Sequence, residues 1–245
     1  MKKLLILCLF LSAHILSNAQ SFEAGLFVGG AFYNGDIDVK PKNTLPQTRV
    51  VAGIFGRYPF NSSWALKAQL THGQLYGDEK KYPTTDYRSQ RGFSFKTQLT
   101  EINTQLEWHF LKMDKSFYLE DSDPAISLYV FAGGGVAFFD PKANFNEPNP
   151  IIDDVSLDKF ATFSRATPII PTGMGAKIKI GQSLIIGVEG GVRTTFTDYL
   201  DGISRLVAAK FRDYYVFSGI TISYEFGGGG GYSGGNWQKN RRTSY

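Results

Sequence analysis

Leu184–Ser204 reads LIIGVEGGVRTTFTDYLDGIS. Its first half alternates. Leu184, Ile186, Val188 and Val192 fall on one side, and Glu189, Arg193 and Thr195 fall on the other with Gly187 and Gly191. A period of two with an apolar and a charged side is a strand between two environments. The strand runs straight into an aromatic and acidic loop, Phe196–Asp201. The rest of the chain says what lies on each side.

The 245 residues suffice for one large domain or two small ones. Aromatic residues make up 15% and glycines number 27, a composition suited to a β protein with close strand contacts. Residues 1–19 read as a secretory signal: basic Lys2 and Lys3, the apolar run Leu4–Leu16, then Ser17-Asn18-Ala19 before Gln20. As a membrane anchor the run is too short, since a spanning helix needs about 20 residues. Cleavage removes Cys8, the single cysteine, so the mature chain has no thiol chemistry. Cys8 also sits too early in the apolar run for lipoprotein acylation. Loss of Lys2 and Lys3 lowers the formal excess of +4 by two, which is no nucleic-acid signature. No mature segment has an apolar run long enough for a membrane helix, so entry into a membrane requires a closed barrel.

Eight stretches carry a dyad pattern: Phe22–Tyr33, Arg49–Tyr58, Trp64–Leu75, Phe93–Phe110, Ile126–Phe139, Ile170–Ile180, the opening strand, and Tyr214–Phe226. In the fourth, Ile102, Leu106, Trp108 and Phe110 oppose Glu101, Asn103, Glu107 and His109. Phe93, Phe95 and Leu99 share the acids' phase, which predicts a bulge near Thr100 if apolar residues are to stay on one face. Long connections at Asn34–Thr48, Tyr76–Gly92, Asp140–Pro168 and Thr197–Asp213 contrast with short turns at Pro59–Ser63 and Gly181–Ser183. Leu111–Ala125 breaks the rule, being long and charged. This is the pattern of an eight-stranded antiparallel transmembrane β-barrel over residues 20–226, with both termini periplasmic.

A secreted sandwich also uses short alternating strands. The polar faces decide between them. Glu23, Glu101, Glu107, Glu189 and Glu225 balance Arg57, Lys67, Lys177, Lys179 and Arg193. In a small barrel this set fills the lumen as a charge network; in a sandwich it is a solvated surface. Balanced charge suits a packed polar interior, and the barrel is the favoured reading.

Catalytic chemistry finds little support. The mature chain offers only His72 and His109, in different phases and toward opposite barrel ends, and no Ser/Asp spacing singles out a triad. His109 reads as part of a polar network and His72 as an interfacial side chain. The acidic loop groups Asp36/Asp38, Asp121/Asp123 and Asp153/Asp154/Asp158 lack the full spacing of a calcium loop. Gly227–Gly231 lacks the Lys-Ser/Thr of a phosphate loop. It opens a Gly-rich basic tail, residues 227–245, which reads as a disordered extension. The functional alternative is a docking peptide anchored by Trp237 and steered by Lys239, Arg241 and Arg242. No cofactor, metal or nucleic acid is expected.

Several stretches together resemble the PorG-like outer-membrane barrels of the type IX secretion system in Bacteroidota. They are Tyr33-Asn34-Gly35-Asp36, Leu75-Tyr76-Gly77-Asp78, Arg91–Glu107, Tyr129–Gly135 with Asp140-Pro141-Lys142-Ala143, Pro168–Lys177, and Gly187–Ser204. They occur in the right order and span nearly the whole barrel. The chain departs from the family pattern at Gly202, where a second acid is more common, and the tail is no part of the match. The resemblance implies a non-catalytic component of protein secretion that anchors a periplasmic ring made of a lipoprotein and its soluble partner. The alternative is a small outer-membrane barrel acting through its outer loops in adhesion or envelope stress. On either reading Leu184, Ile186, Val188 and Val192 face lipid, and Phe196–Ser204 emerges outside, where it folds over the barrel mouth.

Overall fold

The computed structural model describes residues 21–34, 47–78, 93–113, 125–144, 164–180, 183–197, 199–202 and 213–227. The leader, the acidic loop groups, most of Leu111–Ala125 and the tail beyond Gly227, with Trp237, Lys239, Arg241 and Arg242, lie outside the described residues. Eight strands follow in chain order: β1 (Phe22–Asn34), β2 (Arg49–Pro59), β3 (Trp64–Asp78), β4 (Ser94–Met113), β5 (Ala125–Asn144), β6 (Ala166–Ile180), β7 (Leu184–Thr195) and β8 (Tyr214–Phe226). Each pairs antiparallel with its sequence neighbours, and β1 pairs with β8 to close a barrel. Closure leaves no free sheet edge. The end at which β1 starts and β8 stops is called here the terminal end, and the opposite one the far end.

The dyad faces sort as their chemistry requires. Leu26, Val28, Val50 and Ile54 are all more than half exposed on the outer face, and Ile102, Leu106, Met174, Val188, Ile220 and Ile222 stand beside them in one apolar belt. At about 3.4 Å per residue and a usual tilt near 40°, the run Phe22–Phe32 rises roughly 26 Å. Aromatic side chains rim the belt at the terminal end. Trp64 stacks on Trp108 at 6.2 Å, Phe110 lies 5.9 Å from Trp108, and Tyr224 meets Phe226 at 4.8 Å. Among the described residues no helix is long and apolar enough to cross a membrane.

Two expectations need correction. No bulge interrupts the ladder near Thr100: β3 and β4 pair without a break from Trp64↔Trp108 to Asp78↔Ser94. Phe93, Phe95 and Leu99 therefore point inward, in phase with Glu101, and are buried. The register shift lies instead between His109 and Leu111, in the β4–β5 pairing, and it leaves the consecutive Phe110 and Leu111 both exposed. Several connections are also shorter than their polarity suggested. β3 continues to Asp78 and β5 to Asn144, while β6 begins at Ala166. The polar additions to β3 and β5 are ladder-paired strand that runs past the apolar belt at the far end, whereas Ala166 pairs with Phe138 at the belt's edge.

Candidate functional site in the barrel interior

The interior has two storeys. In the terminal half, inward positions carry charge. One cross-strand row reads Glu225, Glu23, Arg57, Lys67 and Gln105 around β8, β1, β2, β3 and β4. It sets like charges directly opposite each other twice, Glu225 beside Glu23 and Arg57 beside Lys67, an arrangement that alone is unfavourable. Counter-ions arrive from other strands. Lys177 Nζ lies 2.8 Å from Glu23 Oε1, Lys179 pairs with Glu225, Arg57 Nε lies 2.8 Å from Glu107 Oε2, and Lys67 Nζ lies 2.6 Å from Glu189 Oε2. Arg57 also pairs with Glu23. The Tyr129 hydroxyl donates to Glu189 Oε2 at 2.8 Å. Its ring lies where a side chain on Gly175 would be, since a Cβ there would fall 2.4 Å from the ring.

Halfway up, Arg193 Nε lies 3.5 Å from Glu101 Oε1, and the Tyr215 hydroxyl donates to Glu101 Oε2 at 2.7 Å. Asn103 donates to Glu101, and Gln105 donates to Asn103 and Gln69. All ten inward charges named from the sequence thus have an opposite charge among themselves. Arg57, Lys67, Glu101, Glu107 and Arg193 are buried almost completely. The set opens toward the terminal end, where the Lys179 side chain is 30% exposed.

In the far half the inward positions turn apolar. Phe27, Ala31, Val51, Leu75, Phe93, Phe95, Leu99, Ala137, Phe139, Ile169 and Phe217 form one buried cluster. The segment after β7 reaches into it. Leu200 is fully buried there, and Tyr199 packs against the cluster half-buried. Leu200 O accepts from Thr97 Oγ1 at 2.5 Å, and Leu200 N donates to Asp213 Oδ2 at 3.1 Å. The Tyr33 hydroxyl contacts both Asp213 Oδ1, at 2.7 Å, and Asp201 Oδ2, at 3.0 Å. Gly202 closes the turn with φ 84°, its N–H donating to Tyr199 O at 3.1 Å. A Cβ at Gly202 would lie 3.4 Å from Ala143 and Pro141, so the turn rests on β5. Residues 199–202 thus fill the far end of the lumen.

The histidines stand apart. His109 Nδ1 is 2.8 Å from Ser127 Oγ, and its Nε2 is 3.2 Å from Glu107 Oε2 inside the barrel. His72 is exposed on the outer face with Nδ1 2.9 Å from Thr100 Oγ1. Among the described residues no three His, Cys, Asp or Glu side chains gather as for a metal. Reading the sequence by charge missed Tyr129, Tyr215, Tyr33, Asp201 and Asp213. Tyr33 shares the phase of Glu23 on β1, Tyr215 that of Glu225 on β8, and Tyr129 lies opposite the apolar face of β5, which was the available signal; Asp201 and Asp213 lie outside the strands and have none.

A family model described as "Domain of unknown function (DUF6089)" matches residues 2–234. The chain belongs to that family. No curated protein matches its sequence. Among solved structures, Neisserial surface protein A is similar at 10% identity and TM-score 0.46, over 84% of this chain and 97% of that one. The outer membrane protein OprG from Pseudomonas aeruginosa is similar at 11% identity and TM-score 0.42, over 85% and 96%. Ail, the attachment invasion locus protein of Yersinia pestis, is similar at 10% identity and TM-score 0.40, over 84% and 99%. None of these likenesses bears on activity.

Proposed function

We propose that the protein is an exported outer-membrane β-barrel that works without catalysis, as a structural part of type IX protein secretion. In this role both termini lie in the periplasm, and the barrel anchors a ring built from a lipoprotein and its soluble partner. The observation that carries the structural role is the filled interior. An apolar belt of membrane height surrounds a lumen occupied by ion pairs below and by Leu200 above, and eight strands leave no room for folded cargo. A barrel so filled suits an anchor better than a conduit. The link to secretion rests on the resemblance of the segments from Tyr33 to Ser204. Periplasmic contacts fall to the chain between Leu111 and Ala125 and to the tail with Trp237, Lys239, Arg241 and Arg242.

Crosslinking in intact cells, with identification of the neighbours, tests this reading. Ring proteins among the partners support it; recovery of extracellular ligands alone sinks it. Deleting Gly227–Tyr245 while retaining Phe226 separates the tail from the rest, because unchanged co-purification of the ring removes the tail from the interface. One observation favours the adhesion or stress reading: the β3–β5 wall continues past the belt with polar outward residues. Loss of surface attachment on truncating that wall, with secretion intact, would select it.

A further inference from the structure

Inside the barrel, every like-charged cross-strand neighbour has a counter-ion. Outside, among the described residues, one such pair has none. Lys96 on β4 and Lys142 on β5 are direct partners on the outer face, and both are exposed. Among the described residues, neither ammonium group has an ion pair or a hydrogen bond. The nearby acids are engaged elsewhere: Asp140 lies 2.9 Å from Arg165, and Asp78 accepts from the Tyr76 hydroxyl at 3.0 Å. Tyr76 continues the lysine row onto β3, and the Arg49 guanidinium lies 4.0 Å over its ring. Among the described residues the face is thus basic on balance, and neither lysine has a carboxylate partner there.

Its height matters. Phe138, on the row with His72 and Thr100, is the last large apolar residue on the outer face of β5 toward the far end. Lys142 stands four positions beyond it. At about 3.4 Å per residue and a tilt near 40°, its Cα lies roughly 10 Å past the belt. Headgroup layers extend about 5–8 Å beyond the hydrocarbon core. The long lysine side chains reach back over the outward row of Gln98 and Asp140 and bring their charge to that level.

We propose that Lys96 and Lys142 form a binding site for an anionic phosphate group, supplied by the headgroup of a membrane lipid. The site rests on the membrane reading given above, but not on which way the barrel points, because phosphates line both leaflets. Two ammonium groups on adjacent strands flank one phosphate, whose charged oxygens accept strong hydrogen bonds from both. The bound anion also relieves the repulsion between two like charges set directly opposite.

The test uses the full mature barrel in nonionic detergent, titrated with phosphatidylglycerol or phosphatidylcholine, with bound lipid counted by native mass spectrometry. Phosphatidylglycerol should bind several-fold tighter, K96Q/K142Q should abolish the preference, and K239Q/R241Q, which removes two charges elsewhere, should keep it. Thermal unfolding gives a readout that a merely structural role would not move. In phosphatidylcholine vesicles K96Q/K142Q should unfold at the same temperature as the parent or higher, whereas added phosphatidylglycerol should raise the parent's midpoint more than the variant's. Equal preference in parent and double variant, or equal loss in the tail control, overturns the site. Displacement of the lipid by equimolar inorganic phosphate overturns the lipid as its source. A barrel that fails to float with vesicles defeats the membrane reading itself; one that floats without preferring phosphatidylglycerol defeats the lysine pair alone.

Discussion

The two halves of the barrel interior solve the same packing problem with opposite chemistry. Toward the terminal end, Arg57, Lys67 and Glu107 are buried almost completely in ion pairs. Toward the far end, equally buried inward positions hold Phe93, Phe95, Leu99 and Phe217, and a loop leucine fills the middle. The contrast shows that inward does not mean polar in a small barrel. Inward positions must be filled, and what fills them depends on what can reach. Near the terminal end, among the described residues, strand side chains meet one another, so long charged ones span the lumen. At the far end a connection folds back, and apolar strand residues give it a seat.

The largest break in this comparison comes from the charged half. Glu189→Ala leaves Lys67, which is fully buried, without its carboxylate and Tyr129 without its acceptor. Removing one partner of a buried pair costs about 3–5 kcal/mol, and urea unfolding of the barrel refolded in micelles should report it. Lys67→Met/Glu189→Leu together should recover most of that loss, since apolar replacement of a whole buried pair is often neutral. If the double variant is as unstable as the single one, the network is holding the barrel in a way that charge pairing does not explain.

Leu200→Ala probes the apolar half. Burial of a leucine in a packed cluster is worth about 2–5 kcal/mol on truncation, with the lower figure expected here because a loop can settle. Protease cleavage between Thr197 and Asp213 should accelerate while the strands stay protected. Unchanged cleavage would mean that the loop is held by its polar contacts alone.

How far the sequence reaches follows the same division. Period two alone assigned Glu101, Glu107, Glu189 and Arg193 to one face, because alternation survives whatever the tertiary pairing. It failed at Phe93, Phe95 and Leu99, where assuming a uniformly polar interior turned a straight strand into a bulged one. The partners were not legible either. Arg57 and Glu23 are cross-strand neighbours, but Lys67 on β3 meets Glu189 on β7, and Glu23 on β1 meets Lys177 on β6. Contacts across a lumen depend on closure and stagger, which no local pattern encodes. The loop after β7 was legible as something that folds over the mouth, but the inward seat of Phe93, Phe95 and Leu99 that receives Leu200 was not.

A smaller effect is expected from Tyr33→Phe. Its hydroxyl contacts Asp201 and Asp213, both buried, at 3.0 and 2.7 Å. Leaving buried acceptors without that donor costs about 1–3 kcal/mol. The aromatic contact with Phe95, at 4.7 Å between ring centroids, is kept, so the loss reports the hydroxyl alone. The same unfolding measurement applies, and loop cleavage should rise with it; stability lost without faster cleavage would separate Tyr33 from the loop.

The mildest change tests the turn itself. Gly202 has φ 84°, where an L side chain costs about 1–2 kcal/mol. Space is not the obstacle, since a Cβ there would make only snug contacts with Ala143 and Pro141 at 3.4 Å. Gly202→Ala should therefore weaken the turn through backbone strain, by about 1 kcal/mol, and leave the ion pairs untouched. Gly202→Asn should cost less than Gly202→Ala, because Asn enters the left-handed region more readily. The rank order is the useful result. If Asn and Ala cost the same, the loss comes from crowding against β5, and the turn is held by contact with that strand rather than by its own backbone.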